Sequence, residues 1–65
     1  MNGRVKWFSP EKGFGFLEAD GTDYFVHHKE IKMPGFKTLL EGQQVTFQPS
    51  KGAKGLLATM VTPTD

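Results

Sequence analysis

From Gly13 to Ala19 the chain alternates strictly, with Gly15, Leu17 and Ala19 on one parity and Phe14, Phe16 and Glu18 on the other. Successive residues of a β-strand point to opposite faces, so this segment reads as a strand with small and aliphatic groups inward and aromatic rings outward. The cluster Asp20-Gly21-Thr22-Asp23 has turn chemistry, and Tyr24 to His28 alternates again, with Tyr24 and Val26 opposite Phe25 and His27. Together the two segments predict a hairpin with one aliphatic and one aromatic face.

The flanking sequence extends this pattern. Arg4-Val5-Lys6-Trp7-Phe8 begins as polar/apolar alternation and stops at Ser9-Pro10, where proline removes a ladder donor. Gln43 to Gln48 places Val45 and Phe47 on one face as a fourth strand, Pro49 to Gly55 reads as a Gly/Lys turn, and Leu56 to Thr62 reads as a fifth strand. Between the third and fourth strands, Lys29 to Gly42 contains Pro34-Gly35 and Glu41-Gly42 but neither strand alternation nor a helical apolar stripe. It reads as a long loop with a short helical turn, and loops of this length in small domains are often binding elements. Five short strands with a gap after the third predict an all-β fold, a five-stranded antiparallel Greek-key barrel, because closure hides the edges a flat sheet would leave exposed.

At 65 residues the sequence reads as one domain, residues 1–65, with a small core and marginal stability. It has no cysteine, hence no disulfide and no thiolate metal site, which fits a reducing compartment. No apolar run approaches the roughly 20 residues of a membrane span, and the N-terminus lacks the apolar stretch of a signal peptide, so a soluble cytoplasmic protein is expected. The net charge of +1 says little about partners, but its distribution says more. Arg4, Lys6 and Lys12 stand against Glu11 alone in the first 16 residues, while Glu18, Asp20 and Asp23 gather at the following turn. A basic side and an acidic end are expected.

Eight Phe, Tyr and Trp residues are many for so short a chain. Phe47 reads as core, whereas Phe14, Phe16 and Phe25 fall on the face opposite Val5, Leu17 and Val26 and read as an exposed surface. Exposed phenylalanines cost stability and solubility, and stacking of unpaired nucleic-acid bases supplies a compensating use. Trp7, with its polar N–H, fits the edge of that surface, and a His27 ring can stack on a base. Lys6 and Lys12, interleaved with the rings, are placed to follow phosphates. Phe36, on the long loop, is a further binding candidate. Alternation puts Trp7 and Phe8 on opposite faces, and only a bulge would let both face outward. His27 and His28, as strand neighbours, are expected on opposite faces with no Cys or third His to complete a metal site. No nucleophile, base and orienting group occur at a recognisable spacing, so no enzyme and no cofactor are expected.

These residues resemble the bacterial cold-shock proteins over nearly the whole chain. Gly3-Arg4-Val5-Lys6-Trp7-Phe8 is similar to the family's opening, Lys12-Gly13-Phe14-Gly15-Phe16-Leu17-Glu18 to its first ribonucleoprotein motif, and Phe25-Val26-His27 to the centre of its second. Gly35-Phe36-Lys37-Thr38-Leu39 with Glu41-Gly42-Gln43 is similar to its long loop. The order and spacing of these motifs together are highly specific. The resemblance implies an oligonucleotide-binding barrel that grips single-stranded RNA and DNA, loosens RNA secondary structure and influences transcription or translation. It implies base stacking for Trp7, Phe14, Phe16, Phe25, His27 and Phe36, and supporting contacts for Lys6, Phe8, Lys12 and Asp23, with Lys37 beside Phe36 on the loop.

Three positions depart from the family pattern. His28 stands where the family usually has phenylalanine, which keeps a ring but weakens apolar stacking, and the pair His27 and His28 enters the binding set. Tyr24 replaces an aliphatic residue, and Leu56-Leu57 replaces Pro-Gln, which speaks against a polar contact from the fifth strand. The expected partners are single-stranded RNA and DNA, with no membrane and no obligate protein partner, and the expected state is a monomer. An RNA-recognition motif would need two helices that this sequence does not offer. An SH3-type barrel binding proline-rich peptides fits less well, because basic residues lie between the rings.

Overall fold

In the computed structural model, residues 1–32, 38–53 and 55–64 are described. They form β1 (Asn2–Ser9), β2 (Phe14–Ala19), β3 (Thr22–His27), a 3₁₀ turn (His28–Glu30), β4 (Gln44–Gly52) and β5 (Gly55–Pro63). The strands close into a barrel in the order β1-β2-β3-β5-β4, with β4 returning to β1. Four pairings are antiparallel, and the joint between β3 and β5 is parallel, with Phe25 opposite Leu57 and Val26 opposite Ala58. That joint is the non-sequential step that makes the order Greek-key-like. No described helix is long and apolar enough to cross a membrane.

The β2–β3 hairpin forms for local reasons. Ala19 pairs with Thr22 across a two-residue turn in which Asp20 (φ 52°) and Gly21 (φ 76°) are both left-handed. This is the backbone of a type I′ turn, which matches the strand twist and favours Asp-Gly. With the register fixed from Phe14↔His27 to Ala19↔Thr22, every side chain of the hairpin has its face assigned.

The inward set is Val5, Leu17, Ala19, Tyr24, Val26, Ile31, Leu39, Val45, Phe47, Ala58 and Val61, all buried. Tyr24 fills the place of an aliphatic residue by packing its ring on Phe47, 4.9 Å between centroids at 59°. Among the described residues no buried side-chain polar atom lacks a hydrogen-bond partner.

The segment after β3 is tied down at both ends. Ile31 bridges to Val61 and the Lys32 N–H donates to the Val61 carbonyl at 2.6 Å. At the far end Leu39 inserts into the core, the Gly42 N–H donates to Val5 O at 2.8 Å, and Val5 N–H donates to Gln43 O at 2.9 Å. The expected short helical turn is the 3₁₀ turn at its start. His28 opens that turn instead of closing the third strand, because the His27 side chain caps it by accepting the Lys29 N–H.

The expected turn from Pro49 to Gly55 is mostly strand. Pro49, Ser50, Lys51 and Gly52 pair with Ala58, Leu57, Leu56 and Gly55. Pairing of β1 with β4 stops at Thr46, so this end of β4 is an edge, where proline's missing N–H costs no ladder bond. Sequence reading took proline as a strand breaker where the topology gives it a tolerated edge.

Candidate nucleic-acid interface

The outer face of β1, β2 and β3 carries one continuous ring cluster. Trp7 pairs with Phe16, Phe16 with Phe25, and Phe14 with His27, which aligns their side chains on the same side of the sheet. Ring centroids are separated by 6.0 Å for Trp7–Phe14, 5.8 Å for Trp7–Phe16, 5.6 Å for Phe14–Phe25 and 5.7 Å for Phe16–Phe25. Trp7 is 42% exposed, and the three phenylalanines are half-buried against one another instead of within the core. Each ring thus keeps part of its surface open to solvent while its neighbours hold its orientation.

A bulge in β1 produces the Trp7 orientation. The register passes from Val5↔Leu17 directly to Trp7↔Phe16, leaving Lys6 as the extra residue. Without that insertion Trp7 would share the inward parity of Val5; with it, Lys6 and Trp7 are both exposed and Phe8 comes opposite Gly15. The bulge expected at Trp7-Phe8 therefore lies one residue earlier. Phe8 is half-buried and packs against the core, so it stands apart from the ring cluster. Gly15 makes room for this: a Cβ there would lie 2.6 Å from Phe8 Cα and overlap the Trp7 carbonyl oxygen.

The two histidines lie together, contrary to the expectation of opposite faces. Strand alternation ends at His27, and the following turn swings His28 back, leaving ring centroids 4.4 Å apart at 34°. Gly13, left-handed at φ 81°, places its carbonyl to accept both the His28 backbone N–H at 2.8 Å and Nδ1–H at 3.2 Å. A Cβ on Gly13 would sit 2.8 Å from that Nδ1. The His27 Nδ1 accepts the Lys29 N–H at 3.2 Å, so the two imidazoles have opposite roles at Nδ1. Among the described residues no group of three His, Cys, Asp or Glu could hold a metal ion.

Charge flanks the rings. Lys6 Nζ donates to both oxygens of Asp23, at 3.2 and 3.3 Å, in a half-exposed ion pair. Asp23 lies directly across from Glu18, and Glu18 across from Arg4. Lys6 and Arg4 thus offset a like-charge cross-strand pair at the acidic end of the sheet. Lys12 is exposed on the β1–β2 connection, its N–H donating to Ser9 Oγ at 3.3 Å. Phe36 and Lys37 lie outside the described residues.

The structure brings Trp7, Phe14, Phe16, Phe25 and His27 together, with Lys6, Asp23 and His28 beside them. It also adds neighbours that sequence reading left out. The parallel joint sets Leu57 next to Phe25, and Gly52, Ala53 and Leu56 line the same cleft. No local pattern announces a pairing between strands so far apart in the chain.

The arrangement is that of a known family. The model of the 'Cold-shock' DNA-binding domain matches residues 1–64. Cold shock protein 2 of Lactiplantibacillus plantarum is 56% identical over 63 residues, covering 95% of this chain and 96% of the relative. Cold shock-like protein CspA of Shewanella violacea is 57% identical over 61 residues, 91% and 87% of the two chains. Cold shock-like protein CspC of Bacillus cereus is 56% identical over 62 residues, 94% and 95%. On this agreement of sequence and fold the chain belongs to the cold-shock domain family, whose members bind nucleic acid and are not enzymes.

Proposed function

We propose that the chain is a single cold-shock domain that binds single-stranded RNA and DNA with little regard to sequence. Bases stack on Trp7, Phe14, Phe16, Phe25 and His27, while Lys6 and Lys12 follow the phosphates. Asp23 and His28 support the surface from its edges and Phe8 supports it from beneath, and the family resemblance adds Phe36 and Lys37 to the binding set. The observation that carries the reading is the unbroken ring cluster, 5.6–6.0 Å from centroid to centroid, on the outside of a closed barrel with basic groups at its margin. Rings that serve only packing would be on the inside, as Phe47 is.

A protein that holds unpaired bases shifts RNA toward its open form by mass action, since it binds that form and not the duplex. This is the physical content of an RNA chaperone and of a regulator acting on transcription or translation. We place that activity in the cytoplasm, in a monomer. Trp7 provides the assay, because a base laid on the indole quenches its fluorescence. Oligothymidine or unstructured RNA should quench it saturably. The variant Phe14→Ala/Phe25→Ala should bind far more weakly while keeping its β-sheet circular dichroism. A folded double variant of undiminished affinity would sink the reading.

A further inference from the structure

The two histidines sit at one end of the ring cluster, since His27 stands across from Phe14. Their imidazoles, 4.4 Å apart at 34°, hold their protons in opposite senses. His27 Nδ1 accepts the Lys29 N–H, so in the neutral ring the proton is on Nε2. His28 Nδ1 meets the Gly13 carbonyl, which can only accept, so here the proton is on Nδ1 and Nε2 is bare. Gly13 locks that choice. Its carbonyl also takes the His28 backbone N–H at 2.8 Å, and a Cβ on it would press on Nδ1. Both rings are half-buried, and among the described residues neither Nε2 has a hydrogen-bond partner while no buried side-chain polar atom goes unpaired. Both Nε2 atoms therefore reach the surface, one as a donor and the other as an acceptor.

We infer that this pair receives the ribose 2′-hydroxyl of the nucleotide lying at its end of the rings, and so makes the chain prefer RNA to DNA at that nucleotide; the inference rests on the single-strand binding proposed above. A hydroxyl is donor and acceptor on one oxygen, so it takes the His27 Nε2–H and gives its own hydrogen to His28 Nε2. Two hydrogen bonds of ordinary length meet on one oxygen at a near-tetrahedral angle when their nitrogens are roughly 4–5 Å apart, and the ring spacing of 4.4 Å is of that size. A phosphate oxygen only accepts and would leave His28 Nε2 unmatched. Some base edges offer both roles, but every ribonucleotide carries the 2′-hydroxyl, which suits a surface with little regard to sequence, and DNA has none. The base itself lies on ring faces, and its sugar then comes to the margin, where the imidazole edges are.

The experiment titrates the chain with heptauridine and with its 2′-deoxy counterpart, followed by Trp7 fluorescence at about pH 8, where an ordinary imidazole is neutral. The RNA strand should bind about 3- to 10-fold more tightly, the size of one or two net hydrogen bonds. Heptauridines carrying a single 2′-deoxy nucleotide, placed at each position in turn, should lose most of that difference at one position. In His28→Phe, which keeps a ring and removes the acceptor, that position should stop mattering: the affinity ratio of the all-ribose to the singly deoxy strand falls to about 1 whatever the absolute affinity. Ring-nitrogen NMR of the free chain should find the proton on Nε2 of His27 and on Nδ1 of His28. Equal affinity for the two strands, an unchanged ratio in His28→Phe, or the reverse tautomers would overturn the inference and leave the ring surface standing. A preference that changes from heptauridine to heptacytidine and ignores the sugar would assign the pair to a base edge and overturn it as well. If neither strand quenches Trp7, the single-strand reading itself fails.

Discussion

The wall of the barrel carries aromatic rings on both faces, and the two faces treat them differently. Inside, Tyr24 packs on Phe47 at 4.9 Å and both are buried. Outside, Phe25 packs on Phe14 and Phe16, and those two pack on Trp7, at slightly longer range, and the three phenylalanines stay half-open. Residue type is the same and only parity differs. A ring's use is thus set by its register within the sheet: an inward ring supplies burial, and an outward ring supplies a surface. The outward rings still protect one another, which limits the cost of leaving them uncovered.

The largest expected effect probes the inner side of this contrast. Phe47→Ala should cost about 3–5 kcal/mol of unfolding free energy, a large share of what a domain of this size has. Urea titration reads it directly. A loss as small as that of an outward ring would break the distinction between faces. Phe25→Ala should instead weaken oligonucleotide binding by about 1–3 kcal/mol with a smaller change in stability, measured by fluorescence titration alongside the urea midpoint.

Gly15→Ala tests how the faces are joined, because its Cβ would strike Phe8 on the inner side and the backbone of Trp7. We expect a stability loss of about 1–3 kcal/mol, with weaker binding as β1 moves away from β2 and carries Trp7 with it. Normal binding in a destabilised variant would show that Trp7 position is indifferent to the packing beneath it. The smallest effect concerns the margin. Lys6→Ala removes a half-exposed ion pair worth about 0–1 kcal/mol in stability, yet should flatten the salt dependence of binding, the slope of log K against log salt falling by about 0.7 if Lys6 neutralises one phosphate. An unchanged slope would show that Lys6 stays committed to Asp23 in the complex.

The β2–β3 hairpin was legible from its residues because each cue is local. Alternation assigns Leu17 and Val26 inward and the phenylalanines outward, and Asp20-Gly21 sets the turn. The bulge at Lys6 was not legible at its position, since the extra residue is defined only against the partner strand. Nor was the continuation of β4 through Pro49, which depends on that stretch being an edge. His28 shows the same limit: it reads as the next residue of a strand, and the turn that brings it onto His27 is held by the Gly13 carbonyl from another connection.

By itself, then, the sequence determined the strands, the parity of their side chains and the family motifs, because period and turn chemistry act between residues a few positions apart. Tertiary structure alone decided that Lys6 would bulge, that Phe8 would turn to the core, and that Leu56 and Leu57 would meet the rings. Those outcomes depend on which strands lie side by side and in what register, and barrel closure fixes both only when distant segments meet.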